Sequence, residues 1–278
     1  MRVSASWCMS SNVGDTMTPW LLKRLGLYDA AWVPQGHPVE HFIVTGSVLN
    51  WASKHSVVWG AGLASWKDEV PCETDIRAVR GPLSLLRVKS CGWKRPRPGL
   101  KLIVADPALL LPKLVPALPK PGKPKLGIIP HYVDMARFAY ADDRASEVGV
   151  TIIDPLLPVK DFCERVSECW KIVSSSLHGL IVADAYGIPN TWAKFGDGIG
   201  GDGMKFWDYL ASVERATVEE PPEYLDLRNA AVDTILLQVG TAKHGLAPAD
   251  LVLRKQRELL DTCPFIHASV YNGLVKPV

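Results

Sequence analysis

Residues 173–189 read VSSSLHGLIVADAYGIP, and this stretch decides how the second half of the chain folds. An apolar, β-branched run ends at Val173, three serines follow, and apolar residues then recur at helical spacing until Gly187 and Pro189. This pattern predicts a strand, a turn and a helix with His178 in its first turn. The serines can cap that helix, whose N-terminal N–H groups attract a phosphate or carboxylate. Two interpretations stay open: a histidine placed for proton transfer, or a capped helix with an ordinary, hydrogen-bonded histidine.

Strands alternate with helices on both sides of this stretch. Each predicted strand is an apolar, β-branched run, and several of them end in small residues such as Gly46 and Gly62. The alternation predicts an α/β fold with two Rossmann-like domains built on parallel sheets. The predicted strands are 3–7, 41–47, 56–62, 75–80, the start of 102–111, 126–130, 149–154 and 191–195.

A stretch rich in proline and lysine separates the two halves. Repeated proline prevents a regular helix or a central strand, and the lysines keep the segment solvated. We therefore expect an N-terminal domain at 1–112, a linker at 113–125 and a C-terminal domain at 126–278. Two closing helices are predicted at 225–238 and 247–261.

Composition excludes several classes of protein. The 278 residues include 31 Lys and Arg against 29 Asp and Glu, so no global positive field points to nucleic acid. The six cysteines form no Cys-x-x-Cys pair, which predicts free thiols in a reducing compartment and no zinc site. No run reaches the ~18 apolar residues of a membrane span or forms a signal peptide, so a cytoplasmic protein is expected.

An Asn-x-Gly-Asp sequence follows the first predicted strand. Gly14 would let the backbone approach a ligand, and Asn12 and Asp15 could bind hydroxyl groups or orient a cation. Alternatively, Asp15 serves only as the cap of a helix predicted at 16–26.

Two further polar residues lie at predicted strand ends. Arg80 lies at a strand-to-helix junction, where it could bind a carboxylate or phosphate, or could pair with a neighbouring carboxylate. His131 follows the first strand of the second half and could face His178 across a cleft, or be satisfied within its own loop.

The segment 174–189 resembles the signature of the polysaccharide pyruvyl transferase family, with its hydroxyl-rich turn, Leu-His-Gly and Gly-Ile-Pro ending. The Asn-x-Gly-Asp sequence, the Arg-Gly element at Arg80 and Asp106-Pro107 resemble other elements of the family. The resemblance implies a GT-B-type arrangement of the two domains, with the active site in the cleft between them. By analogy with two-domain transferases, the closing helices are expected to return to the first domain.

The resemblance also implies an activity and roles for individual residues. Members transfer the enolpyruvyl group of phosphoenolpyruvate to a sugar, forming a pyruvate ketal and releasing phosphate. His178 would then transfer a proton, His131 would be a second acid or base, and Arg80 would hold the donor anion. The hydroxyl turn that would help to hold the donor consists of Ser174, Ser175 and Ser176.

Many relatives carry arginine where this chain has Ser176, so another cation is expected to contact the donor here. Lys194 and Lys205 are the candidates, because they lie on either side of a glycine-rich loop in the second half.

The glycine-rich loop, 196–203, contains a Gly-x-Gly-x-x-Gly match, but no acidic residue is placed for a ribose. We expect a mobile loop in which Asp197 and Asp202 accept hydrogen bonds from hydroxyl groups of the sugar acceptor.

The expected partners are phosphoenolpyruvate, which is a co-substrate, and a lipid-linked oligosaccharide acceptor at the inner face of a membrane. The scheme requires no metal ion and no other cofactor. Two other functions stay open: a nucleotide-sugar-dependent glycosyltransferase of the same architecture, and a non-catalytic glycan-binding subunit of a polysaccharide assembly complex. The replacement of arginine by Ser176 favours the second of these.

Overall fold

The computed structural model describes residues 2–94, 99, 101–123 and 125–275, which form two parallel β-sheets with their helices. The other positions lie outside the described residues: 1, 95–98 and 100 of the predicted first domain, Pro124 of the predicted linker, and 276–278 of the predicted second domain. The strands are β1 Arg2–Ala5, β2 Asp29–Trp32, β3 His41–Ile43, β4 Ser56–Trp59, β5 Asp75–Val79, β6 Ile103–Val104, β7 Leu126–Ile129, β8 Val150–Ile152, β9 Lys171–Ser174, β10 Asn190–Lys194 and β11 Leu225–Asp226. The α-helices are α1 Val13–Gly26, α2 Pro82–Ser90, α3 Leu111–Leu114, α4 Asp142–Glu147, α5 Val159–Ser167, α6 Leu177–Ala185, α7 Met204–Ser212, α8 Val232–Thr241, α9 Ala249–Thr262 and α10 Ala268–Val275.

Within the described residues, the first sheet has the order β2-β1-β3-β4-β5-β6, and neighbouring strands are parallel. β4 is buried along its whole length, as expected for β-branched residues such as Val57 and Val58 in a parallel sheet. Helix α1 buries Met17, Leu21 and Leu25 completely in the core. The predicted parallel α/β architecture is confirmed for this half.

The second sheet has the order β11-β10-β9-β7-β8, and its strands are also parallel. In the first sheet β1 lies between β2 and β3, and in the second sheet β7 lies in the same way between β8 and β9. The direction of the strand order therefore reverses between β1 and β3 and again between β7 and β9. In open α/β sheets, ligands bind outside the carboxyl ends of the strands at this reversal.

The C-terminal helices pack against the first sheet. Gln256 of α9 donates from Nε2 to the carbonyl oxygen of Leu109 at 2.8 Å. Phe265, just beyond α9, meets Trp59 of β4 edge to face, with ring centroids 5.2 Å apart. The expected return to the first half is confirmed for α9 by these contacts. It is wrong for the first of the two predicted closing helices, because Ile235 and Val239 of α8 pack with Ile128 of the second sheet.

Two predicted boundaries differ from the structure. The predicted helix at 225–238 is wrong at its start, because Leu225–Asp226 pairs with the end of β10 as an edge strand and α8 begins only at Val232. α1 begins three residues earlier than predicted, because the Oδ1 atom of Asn12 accepts a hydrogen bond from the backbone N–H of Asp15 at 3.2 Å.

Strand β2 was not predicted from the sequence. It is only four residues long, forms one edge of the first sheet and has no buried residue. Without a buried face, it lacks the hydrophobic pattern by which strands are predicted.

The predicted linker joins the two halves along the surface. Residues 116–123 are exposed and form neither helix nor strand. Val115 is buried, and its carbonyl oxygen accepts a hydrogen bond from the Tyr186 hydroxyl at 2.6 Å. The division into two domains at this segment stays a prediction.

Two of the compositional expectations can be compared with the structure. All six cysteines are unpaired. Across the described ranges, no helix is both long enough and apolar enough to cross a membrane.

Candidate active site

Ionisable side chains from both halves meet near the carboxyl ends of the strands. Asp15 lies in the first turn of α1, Asp106 follows β6, His131 follows β7, His178 lies in the first turn of α6, and Lys205 lies in the first turn of α7. Burial is the main cause that lowers the pKa of both histidines, and the charge of Lys205 lowers both further. Asp15 in turn raises the pKa of Lys205 against the effects of burial and Arg80. The topology thus gathers into one cluster residues that are up to 190 positions apart in the sequence.

His178 is 7% exposed and packs against the first turn of α1. A methyl group on Gly14 would lie 2.1 Å from its Nδ1 atom, so a glycine at this position is required for the close approach. Burial, and then the charges of Arg80 and Lys205, lower the pKa of His178 to about 3. The imidazole is therefore neutral at pH 7.

Asp106 is fully buried, and its Oδ2 atom lies 3.9 Å from Nε2 of His178. Neither atom has a hydrogen-bond partner in the described part of the chain, whereas Oδ1 of Asp106 accepts from the Ala108 N–H at 2.9 Å. Burial raises the pKa of Asp106 to about 6, against the lowering effects of that hydrogen bond and of Arg80. A carboxylate in this position can orient an imidazole and stabilise its charged form.

Lys205 is half-buried and, over the residues that the structure describes, forms no hydrogen bond or ion pair. Burial, and then the charge of Arg80, lower its pKa to about 8, while Asp15 opposes this shift. The ammonium group lies 5.4 Å from the centre of the Phe206 ring, and it provides the positive charge that an anion requires. The Met204 N–H at the start of the same helix already donates to Asp202.

His131 precedes the 3-10 turn Tyr132–Phe138, and its ring accepts a hydrogen bond from the Val133 N–H. Its own backbone N–H donates to the hydroxyl of Ser175 at 2.7 Å. Burial, and then the charge of Lys205, lower the pKa of His131 to about 4. A neutral imidazole at pH 7 can accept a proton from a hydroxyl group.

Arg80 is fully buried, and its guanidinium group donates in three directions within the protein. Nε donates to Asp208 at 3.1 Å, Nη1 to the Ser47 hydroxyl at 2.9 Å, and Nη2 to the Leu63 carbonyl at 2.6 Å. A methyl group on Gly62 would lie 2.3 Å from Cζ, so the side chain fills its space completely. Arg80 was predicted either to bind an anion or to pair with a carboxylate, and the structure shows the pair with Asp208. A direct contact of Arg80 with the donor stays a prediction.

Two of the three serines hold the turn before α6. Ser174 Oγ contacts the Ile129 carbonyl at 2.9 Å and accepts from the Ser176 N–H at 3.0 Å. Ser175 Oγ contacts Oδ2 of Asp134 at 3.2 Å. Ser176 occupies the N-cap position of α6, but its hydroxyl makes no capping bond to any described residue. Donor binding by these serines stays a prediction.

Asn12, and not Asp15, is the N-cap residue of α1. The side-chain amide of Asn12 and the hydroxyl of Ser10 both donate to Oδ2 of Asp15 at 2.5 Å. Burial raises the pKa of Asp15 despite these hydrogen bonds. Asp15 is therefore held within the cluster, although contacts with an acceptor sugar stay a prediction for both residues.

The two aspartates of the glycine-rich loop already have partners within the protein. Asp202 Oδ2 accepts from the Ser65 hydroxyl at 2.7 Å and from the Trp66 N–H at 3.0 Å, which ties one end of the loop to the first half. Asp197 is exposed and accepts from Arg228 at 2.7 Å. An acceptor sugar would have to compete with these contacts.

The two candidate lysines line the same cavity, which has a volume of about 250 Å³. The ammonium group of Lys194 lies 4.1 Å from the centre of the Tyr224 ring, a distance typical of a cation–π interaction. Lys205 differs because it belongs to the cluster around His178. The effect of the Lys205 charge on both histidines therefore favours Lys205 over Lys194 as the cation that contacts an anion beside His178.

The arrangement is suited to proton transfer to or from an anionic ligand. A bound anion near Lys205 would raise the pKa of His178 from its low value, so that binding and proton uptake are coupled. Over the described residues, no group of three or more His, Cys, Asp and Glu side chains is placed to hold a metal ion.

Asp208 joins the two halves, although no sequence pattern predicted a role for it. Its carboxylate accepts from Arg80, from the Ser84 hydroxyl at 2.7 Å and from the Ser84 N–H at 2.8 Å. The sequence contains one indication of a buried carboxylate here, because Asp208 stands between two aromatic residues, Trp207 and Tyr209, in a predicted helix. Its partner, however, lies 128 residues away in the sequence.

This combination of two parallel sheets and a buried histidine–carboxylate pair beside an unpaired lysine defines an α/β protein suited to acid–base chemistry. The model of the family Polysaccharide pyruvyl transferase matches residues 49–192, which is just over half of the chain, and the chain belongs to this family. The resemblance inferred from 174–189 is thereby confirmed. The matched range contains Asp106 and His178 but neither Asp15 nor Lys205.

Two curated relatives are similar to much of the chain. Uncharacterized protein L143 of Acanthamoeba polyphaga mimivirus is 32% identical over 181 residues, which cover 62% of this chain and 59% of that protein. Succinoglycan biosynthesis protein ExoV of Rhizobium meliloti (strain 1021) is 31% identical over 189 residues, which cover 65% of this chain and 55% of that protein. The chain therefore matches less than two thirds of the length of either relative.

Proposed function

We propose that the protein is a ketal pyruvyltransferase that transfers the enolpyruvyl group of phosphoenolpyruvate to a sugar of a polysaccharide repeat unit. The observation that carries this proposal is the cluster of His178, Asp106 and Lys205. It joins a proton-transfer group to an unpaired cation, as addition to an enol phosphate requires. Family membership and the similarity to a succinoglycan biosynthesis protein support the same activity.

The proposal includes a GT-B-type arrangement of two domains, 1–112 and 126–278, with the active site in the cleft between them. The contacts of His178 with Gly14 and of Arg80 with Asp208 support it, because each joins the two halves beside the cluster.

The reaction begins with a proton on His178. Its Nε2 is directed at Asp106, so Nδ1 is the nitrogen that gives the proton to the methylene carbon of phosphoenolpyruvate. A positive, oxocarbenium-like centre develops on the neighbouring carbon, which a sugar hydroxyl attacks while His131 accepts the hydroxyl proton. Cleavage of the carbon–oxygen bond releases phosphate, and a second hydroxyl attacks the same carbon and loses its proton to close the ketal.

Lys205 binds the donor anion in place of the arginine expected at Ser176. Because a hydrogen bond to a charged group contributes about 1.5–3 kcal/mol, Lys205→Ala is expected to raise the KM for phosphoenolpyruvate about 10- to 100-fold. Lys194→Ala should raise it less, because the charge of Lys205, and not that of Lys194, acts on both histidines. The exposed Lys89, which lines neither cavity, supplies the matched control, Lys89→Ala. An unchanged KM in both Lys194→Ala and Lys205→Ala would contradict lysine binding of the donor.

The acceptor is a lipid-linked oligosaccharide, and Asn12 and Asp15 contact its hydroxyl groups. Their position in the first turn of α1, beside Gly14 and the His178 ring, supports this role. A hydroxyl group held there is close to the imidazole that starts the reaction.

The deciding experiment measures phosphate release from phosphoenolpyruvate with galactosides, glucosides and mannosides as acceptors, comparing the native protein with His178→Ala. Acceptor-dependent release that is lost in the variant supports the proposal and identifies the sugar. Turnover of nucleotide sugars in place of phosphoenolpyruvate would point to a glycosyltransferase. If folded protein turns over neither donor, the non-catalytic glycan-binding function is favoured.

A further inference from the structure

A second, larger cavity lies next to the proposed site. It has a volume of about 650 Å³ and is lined by the start of β10 and by segments 215–217, 220–225 and 242–246. This volume is within the ~300–1,000 Å³ of small-molecule sites. The mechanism proposed above assigns no role to it.

One side chain, Trp192, lines both cavities. Along β10, Asn190 and Thr191 line the larger cavity and Lys194 lines the smaller one, which also contains Lys205. At a rise of ~3.3 Å per residue, the strand from Asn190 to Lys194 spans about 13 Å. A ligand that occupies both cavities must therefore be longer than one monosaccharide.

Trp192, which lines the larger cavity, carries an unsatisfied polar group. Trp192 is 6% exposed, its ring stacks on Phe206 with centroids 4.6 Å apart, and its Nε1 is buried without a partner over the described residues. A buried indole N–H requires an acceptor, and leaving it unpaired is unfavourable. The oxygen of a sugar hydroxyl is a suitable acceptor.

The charges of the cavity wall favour a neutral ligand over an anionic one. Arg215 is already neutralised by Asp184, to which it donates at 2.9 Å. Glu220 and Glu223 then outnumber Lys243 among the remaining charged residues of the wall. A phosphate or a nucleotide would meet net negative charge, whereas a neutral, hydroxyl-bearing ligand would not.

Resting on the proposed function, we infer that the larger cavity binds neutral sugar residues of the acceptor chain next to the sugar that is modified. Trp192 is a specificity-determining residue at the junction of the two cavities. The acceptor is then recognised as an oligosaccharide, and a single sugar binds less tightly.

The test compares the affinity of neutral tetrasaccharides of galactose, glucose or mannose with that of the matching methyl glycosides, by titration calorimetry. Trp192→Phe keeps the aromatic stacking and removes Nε1, while Ala242→Phe fills the larger cavity. Trp170→Phe, at an exposed tryptophan outside the cavity, is the matched control. Thermal unfolding of each variant establishes that it is folded.

We expect one of the tetrasaccharides to bind the native protein at least 10-fold more tightly than its methyl glycoside. Trp192→Phe should weaken tetrasaccharide binding about 3- to 10-fold, the value of one hydrogen bond. Ala242→Phe should bring the ratio of the two affinities close to one, and Trp170→Phe should leave the ratio at its native value.

Equal affinity for tetrasaccharide and glycoside in the native protein would overturn the inference, as would a ratio unaffected by both cavity variants. Uridine diphosphate that displaces the tetrasaccharide would overturn the assignment to a neutral ligand. Tetrasaccharide binding that is sensitive to Ala242→Phe, without phosphate release from phosphoenolpyruvate, would leave the sugar site in place and refute the transferase activity.

Discussion

The contact between Gly14 and His178 makes the sharpest prediction, because one methyl group tests the placement of the proposed proton donor. The methyl of Gly14→Ala would lie 2.1 Å from Nδ1 and 2.6 Å from Cε1 of the imidazole. An ordinary van der Waals contact requires about 3.4 Å or more, so the ring must move by more than about 1 Å.

A displacement of about 1 Å from the productive geometry can reduce the rate about 100-fold. We therefore expect Gly14→Ala to lower kcat for phosphate release by about two orders of magnitude. Overpacking of this buried contact should also lower the free energy of unfolding by about 1–3 kcal/mol. Kinetics and urea denaturation measure the two effects separately.

Gly240→Ala is the matched control, because Gly240 lies within α8 and its added methyl would meet no atom within 4 Å. Alanine favours a helix over glycine by up to about 1 kcal/mol, so this variant should be at least as stable as the native protein. Its kcat should not change.

A double-mutant cycle shows whether the loss acts through the histidine. If it does, Gly14→Ala should have little further effect on kcat in a His178→Ala background, since the displaced group is absent. A folded Gly14→Ala protein with native kcat would refute the reasoning, and so would a 100-fold loss that persists without His178.

Three further predictions concern buried charge. Burial raises the pKa of Asp106 from 3.8 to about 6, so its stabilising contribution is complete below pH 3.8 and is lost as the pH rises through 6. Asp106→Asn should therefore raise the free energy of unfolding by up to about 3 kcal/mol at pH 7 and by almost nothing at pH 4. The same variant should lower kcat. A stability gain that is the same at both pH values would contradict this reasoning. Binding of phosphoenolpyruvate should be accompanied by proton uptake, detectable by calorimetry in buffers of different ionisation enthalpy, and His178→Asn should reduce the uptake. Asp208→Asn leaves the fully buried Arg80 without its counter-ion and should lower the free energy of unfolding, measured by urea denaturation, by about 3–5 kcal/mol. Asp233→Asn, at an exposed ion pair, should lower it by less than about 1 kcal/mol. Equal losses in the two variants would show that burial of the ion pair does not matter.

Much of the fold follows from patterns within short windows of the sequence. The strand, turn and helix at 171–185 form as predicted, because the β-branched run and the helical spacing are local properties. β2 and the strand at Leu225–Asp226 were not predicted, because pairing at a sheet edge holds them in place. The residues of these two strands show little of the hydrophobic pattern by which strands are predicted.

Some features of the candidate site also follow from the sequence, and others depend on the tertiary structure. The sequence by itself determined the family, the alternation of strands and helices, and the position of His178 in the first turn of its helix, because these depend on residues that are close together in the chain. Only the tertiary structure decided that Gly14 makes room for the imidazole, that Asp106 lies 3.9 Å from it, and that Asp208 neutralises Arg80. Each of these contacts joins residues more than 70 positions apart, and desolvation, which shifts the pKa values of the cluster, exists only once both halves pack around it.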